Sequence, residues 1–207
     1  MPNYMRILKY FWFHLVTVAT AWLPDFRPFM RIRGFFLRPC FKSSGGNLQV
    51  ARRVTINFSN RMEIGRDVYI ATGCWIHAWG GIVIEDEVQL GPYSVLVTGD
   101  HTLKDGSYRY GPSSLAPIRI CHGSWVAAHA VVTKGVTLGR GALIAANSVA
   151  TRNIPDFAIA AGTPARLLNE KSRFDVALSI EPPVREMERH RQAPLPRAHK
   201  GAKSSRS

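Results

Sequence analysis

Aliphatic residues recur every six positions in this chain, and few folds accept such a spacing. Stepping by six from Ile120 reaches Val126, Val132, Leu138, Ile144 and Ala150, and a second train runs Ile64, Ile70, Ile76 and Ile82. After a two-residue shift of phase a third train follows through Ile84, Leu90 and Leu96. With aliphatic residues and alanine near a third of an ordinary chain, six hits in a row from a fixed start arise by chance on the order of once in a thousand. A helix needs a period of 3.6 and a half-buried strand a period of 2, so neither explains the pattern. A solenoid does: each hexapeptide makes one short face of a triangular coil, its aliphatic side chain points inward, and small residues let the chain bend at the corners. Gly65, Gly91, Gly123, Gly135, Gly139 and Gly141, with the pairs Ala127-Ala128 and Ala145-Ala146, fall between the inward positions. The expected fold is therefore all-β, a left-handed parallel β-helix of hexapeptide repeats.

Three hexapeptides make an 18-residue coil, so residues 64–99 predict about two coils and 118–153 two more, with a less regular first coil over 48–63 through Val50, Val54, Ile56 and Phe58. The β-helix domain is placed at 48–164. Residues 100–117 break the period and are rich in Gly, Pro, Ser and Tyr, which predicts a loop pushed out of the solenoid. Such a loop interrupts packing without adding to the core, so it carries a functional expectation. Pro164 marks the exit, a capping helix is expected over 165–180, beginning near Ala165 and running to about Phe174, and the Pro-rich stretch 181–207 is expected to be a disordered basic tail.

The net charge of +13 is concentrated at the ends: residues 1–47 carry seven Lys/Arg against the single acid Asp25, and 183–207 carry seven against Glu186 and Glu188. The middle is nearly balanced, which argues against a basic groove through the fold and makes nucleic acid an unexpected partner. Residues 1–47 also hold 11 of the 21 aromatics, and the apolar run Tyr10–Leu23 is short for a membrane span of about 20 residues. A helical segment is expected over 1–47, with residues 1–41 either contacting a membrane surface or packing on the main domain or a neighbouring subunit. Cys40, Cys74 and Cys121 are odd in number and lack a C-x-x-C pair, so a disulfide framework is not expected and a reducing, cytoplasmic setting is, with the inner face of the membrane within reach. No metal site is expected: His77, His101, His122 and His129 lack the His-x4-His spacing that a γ-type carbonic anhydrase would need.

Three ordered segments complete the pattern: Val-Thr-Gly-Asp-His-Thr at 97–102, Pro-Ile-x-Ile…Trp-Val-Ala-Ala-His at 117–129, and Ala-Ile-Ala-Ala-Gly-Thr-Pro-Ala-Arg at 158–166. Over about residues 60–170 the chain resembles the hexapeptide-repeat acyltransferases, in particular the galactoside, maltose and colanic-acid type sugar O-acetyltransferases. The resemblance implies an enzyme that uses acetyl-CoA as co-substrate, acts on a sugar or glycan acceptor and assembles as a homotrimer with its site between subunits. It implies His101 as general base, an imidazole being suited to proton transfer near neutral pH. It implies CoA contacts at Ala128, Ala146, Thr151, Arg152 and Arg166, the arginines meeting phosphates. For the acceptor it points to Trp125; Asp100 and Asp105, close to His101 in the chain, are the candidates to orient the imidazole, although the order Asp-His differs from the His-Asp of some relatives. The segment Cys-Trp-Ile-His-Ala-Trp-Gly-Gly at 74–81 departs from the Asn and Asp of galactoside-type relatives, and there His77 and Trp79 are the acceptor candidates. A different glycan or a lipid-linked sugar is then expected. The competing reading is a non-catalytic β-helix scaffold whose basic ends bind membranes or nucleic acid.

Overall fold

The computed structural model describes residues 3–168. The expected tail over 181–207 and all of the expected capping helix beyond residue 168 lie outside them. Between Ser43 and Leu168 the chain winds as a left-handed parallel β-helix with three sheets. The first sheet stacks Ser43–Ser44, Met62–Ile64, Ile82–Ile84, Ile118–Ile120 and Thr137–Leu138. The second stacks Gln49–Val50, Tyr69–Ile70, Gln89–Leu90, Trp125–Val126, Leu143–Ile144 and Ile159–Ala161. The third stacks Thr55–Asn57, Trp75–His77, Val95–Val97, Val131–Val132 and Val149–Ala150.

Every inward position of the six-residue pattern is buried, in three columns. They are Ile64, Ile84, Ile120 and Leu138 on the first sheet, Val50, Ile70, Leu90, Val126, Ile144 and Ala160 on the second, and Ile56, Ile76, Leu96, Val132 and Ala150 on the third. Each large aliphatic side chain so placed contributes roughly 1.5–3 kcal/mol of apolar burial. The first coil begins at Ser43, inside the segment assigned from sequence to the N-terminal region, because Ser43–Ser44 already pairs with Glu63 and Ile64.

The coils differ in length, which accounts for the phase shift. Ile64 pairs with Ile84 and Ile70 with Leu90, twenty residues along the chain, whereas Ile120 pairs with Leu138 and Val126 with Ile144, eighteen along. The 18-residue coil therefore holds only between residues 118 and 150, and the last turn is shorter, with Leu138 facing Ile154 and Ile144 facing Ala160, sixteen along. The two extra residues of the earlier coils sit at the corner between the third and first sheets, where 58–61 and 78–81 bow outward. The same corner of the next coil extrudes the long loop.

Two helices precede the first coil, α1 (Asn3–Ala19) and α2 (Arg27–Leu37). α2 lies directly on the free edge strand Gln49–Val50: a Cβ added to Gly34 would stand 1.9 Å from the Leu48 carbonyl oxygen, so only glycine permits this approach. Arg33 is buried there and donates to five acceptors. They are the carbonyl oxygens of Val50 (2.6 Å), Thr20 (3.0 Å) and Leu23 (3.2 Å), the Thr20 hydroxyl (3.0 Å) and the Asp25 carboxylate (3.3 Å).

At the other end the expected helix from Ala165 is corrected. Arg166–Leu167 is a strand that runs antiparallel to Ile159–Ala161. The chain turns back after Gly162 and gives its backbone to the last coil, with the Ala165 N–H donating to the Val149 carbonyl at 2.8 Å and the Leu168 N–H to the Ile159 carbonyl at 2.8 Å. The open edge of the second sheet offers hydrogen bonds that a helix would leave unmade.

Candidate active site

The extruded loop is a two-stranded excursion, Gly99–His101 paired antiparallel with Ser113–Leu115, so that His101 lies opposite Ser113. Its base is tied tightly to the preceding coil. Thr98 is buried, its N–H and hydroxyl both donate to the His77 carbonyl (3.1 and 2.7 Å), and its hydroxyl oxygen accepts the Gly80 N–H at 2.8 Å. The Ala116 N–H returns to the Thr98 carbonyl at 3.0 Å and closes the loop. Gly80 is required by this closure, since a Cβ there would lie 2.9 Å from the carbonyl oxygens of both Thr98 and Ala116.

His101 and Asp100 are neighbours in an extended strand and so face opposite ways. Asp100 turns toward the next coil, where its Oδ1 accepts from Lys134 Nζ at 2.8 Å, while the same ammonium donates to Ser114 Oγ at 2.5 Å. Lys134 thereby clamps both strands of the hairpin, and Asp100 is occupied by it rather than by the imidazole. The orienting role considered for Asp100 is thus not supported. His101 is exposed, and among the described residues its ring has no hydrogen-bond partner. An unoccupied imidazole on a braced strand is free to take a proton from a bound hydroxyl.

Beside the base of the loop stands an aromatic group built on the bowed corners. Phe58 and Trp79 stack with centroids 5.8 Å apart and planes 11° apart, and His77 lies edge-on to both at 5.2 and 6.3 Å. Trp75 stacks on the other side of His77 at 5.7 Å. The Arg61 guanidinium lies over the Phe58 ring at 5.8 Å and donates to the Trp79 carbonyl. His101 is three residues beyond Thr98, so at most about 10 Å of extended chain separates it from this group's backbone anchor. His77 Nδ1 is buried and without a partner among the described residues. Burial holds its pKa below the ordinary 6.5.

The sign of that shift gives a first prediction. His77 stays neutral at pH 7, and the stability it carries is fully present above about 6.5 and declines as pH falls from there through the lower native value. NMR titration of the full chain is expected to give His77 a midpoint below that of an exposed histidine. A midpoint at or above 6.5 would contradict the buried, unpaired environment.

The other expected residues are dispersed around the coil. Trp125 is exposed on the second sheet, which lies across the triangular section from the corner that extrudes the loop, so one chain does not bring it to His101. Ala128 and Ala146 stack at the corner between the second and third sheets, where the Asn147 N–H donates to the Ala128 carbonyl at 3.0 Å. Both carry only a methyl group and leave that corner open. Thr151 and Arg152 are exposed just past Val149–Ala150, and Arg166 is exposed on the antiparallel edge strand. Lys134 and Arg61 were not singled out from sequence, and Phe58 was read only as part of the first coil: a lysine at a corner and a phenylalanine in an irregular coil carry no spacing signal for a site.

No protein-family model matches the chain. It is 29% identical to the galactoside O-acetyltransferase of Escherichia coli (strain K12) over 138 residues, 67% of this chain and 68% of that protein. Relatives in Staphylococcus aureus are 30% identical over 130 residues, and the chain spans 65% of their length, just under two thirds. Among solved structures, a galactoside acetyltransferase in complex with coenzyme A superposes with a TM-score of 0.70 at 24% identity, covering 83% of this chain and 84% of that one. A hexapeptide-repeat acetyltransferase of Vibrio cholerae complexed with acetyl-coenzyme A superposes with a TM-score of 0.62 at 24% identity, covering 76% and 84%.

Proposed function

We propose that the chain is a hexapeptide-repeat acetyltransferase that moves an acetyl group from acetyl-CoA to a hydroxyl of a sugar or glycan, with His101 as general base. The observation that carries this reading is the unpartnered His101 imidazole, held on a braced hairpin whose base is bonded to the His77–Trp79 corner. The imidazole removes the hydroxyl proton as the oxygen attacks the thioester carbonyl. The carbon–sulfur bond then breaks, and the departing thiolate takes a proton to leave as free CoA. Direct transfer needs no covalent enzyme intermediate.

A planar stack such as Phe58–Trp79, with a neutral imidazole beside it, suits the apolar face and hydroxyl edge of a sugar ring. This favours an acceptor unlike a simple galactoside, such as a cell-surface polysaccharide or lipid-linked precursor. The narrow pantetheine arm fits against a corner bare of side chains at Ala128 and Ala146, and Thr151, Arg152 and Arg166 supply a hydroxyl and cations for the CoA end. These groups and Trp125 lie on separate corners and faces of one β-helix, which favours a homotrimer whose sites lie between neighbouring β-helices. A cytoplasmic setting, where acetyl-CoA is made, accords with three unpaired cysteines.

Purified protein incubated with acetyl-CoA and a panel of sugars is expected to release free thiol in an acceptor-dependent way and to yield product heavier by one acetyl group. Light scattering is expected to return the trimer mass. Absence of both turnover and a CoA-dependent thermal shift would favour the non-catalytic scaffold, and a monomeric mass at assay concentration would defeat the shared-site arrangement.

A further inference from the structure

α1 carries two apolar stripes. The inner one, Phe13 and Val16, is buried, and Thr20 just past the helix continues that buried side. The outer one, Tyr4, Leu8, Phe11, Leu15 and Val18, repeats at steps of four and three, and Trp22 just beyond the helix continues it; all six side chains are 59–77% exposed. At 100° per residue the two stripes lie on nearly opposite faces. α2 repeats the arrangement, burying Met30, Arg33, Gly34 and Leu37 and exposing Ile32, Phe35 and Phe36. An apolar surface of this extent is not left to water in an ordinary globular protein.

Charge decides what covers it. Arg27 and Arg31 are exposed on α2 and have no acidic partner among the described residues. The only acid before Glu63 is Asp25, and it is already engaged by Arg33 and Arg52, each at 3.3 Å. A second copy docking through the same face would bring these arginines against one another with no carboxylate to meet them. An anionic lipid surface supplies both the apolar layer and the counter-charge. We infer that α1 and α2 form a peripheral docking face for an anionic bilayer, lying in the interfacial plane with the aromatic stripe at headgroup depth. No helix among the described residues is long and apolar enough to cross a membrane, and the 17 residues of α1 span about 25 Å against a hydrocarbon core of about 30 Å. A groove lined by Ile7, Lys9, Tyr10, Asn57, Phe58 and Asn60 joins α1 to the aromatic stack, so a lipid-borne acceptor would be presented on the docked side. The docking itself does not depend on the acetyl-transfer reading.

The test is co-sedimentation of the full chain with phosphatidylcholine vesicles containing or lacking phosphatidylglycerol. Binding is expected to the anionic vesicles and to be at least about tenfold weaker to the neutral ones. It is expected to fall by at least about tenfold in L8E/F11E/V18E and in R27E/R31E, with circular dichroism and oligomeric mass unchanged. Absence of binding overturns the inference. So does equal binding by these variants, which would assign the attraction to the basic sequence after residue 183. A change of mass in the glutamate variant also overturns it, because that would make a second copy the occupant. Should that variant lose its thermal transition, W22A/F35A decides by the same criteria.

Discussion

His101→Ala is expected to lower kcat by at least about a hundredfold while leaving the affinity for CoA within about twofold, the pattern of a lost proton acceptor rather than a lost binding contact. The structure makes the separation clean. The His101 ring is exposed, has no hydrogen-bond partner among the described residues and contributes nothing to the buried columns, while the hairpin that holds it is braced by Lys134 through Asp100 and Ser114. Removing the imidazole therefore should not move the loop. Single-turnover measurement of acetyl transfer, set beside isothermal titration with CoA, reads the two effects independently. An equal loss of CoA affinity would reassign His101 to cofactor binding, and undiminished turnover would remove it from the chemistry.

The largest stability effect is expected at Arg33. Arg33→Leu keeps the apolar volume but strips five acceptors of their donor, among them the carbonyl oxygens of Val50, Thr20 and Leu23 and the Asp25 carboxylate. Breaking one side of a buried ionic and hydrogen-bonded group costs about 3–5 kcal/mol, because the carbonyl oxygens stay desolvated and unpaired while Asp25 keeps only Arg52. In a described region of this size that corresponds to roughly 10 °C in Tm. Arg33→Lys should recover only part of the loss, since an ammonium cannot reach acceptors spread around a planar fork. Thermal unfolding of the three chains checks this, and a drop under about 1 kcal/mol for the leucine variant would show that the cap is not fastened at this point.

The repeat was legible because its inward positions obey one geometric rule. A side chain at Ile70 or Leu138 has no alternative to the core, so chemistry and spacing agree along three columns. The two-residue phase shift was equally visible at Ile82 and Ile84, but its meaning was not, since sequence does not say which corner takes up the slack. That corner proves to be the one that carries Trp79, Gly80 and the loop base. Placing Trp125 required knowing which of three sheets it faces, and the six-residue pattern is identical on all three. The helix expected from Ala165 failed for a different reason. Local propensity favours a helix there, whereas the unpaired edge left by Ile159–Ala161 is a tertiary fact, and it wins.

A repetitive fold has no internal measure of its own length, because any coil can accept another coil on its open face. In this chain both rims of the second sheet are shut, by α2 with Gly34 and Arg33 at the start and by Arg166–Leu167 laid in the reverse direction at the finish. These terminators, rather than the hexapeptide, set how many turns are built. They also replace, at each rim of that sheet, the parallel strand that a further hexapeptide coil would need to pair with.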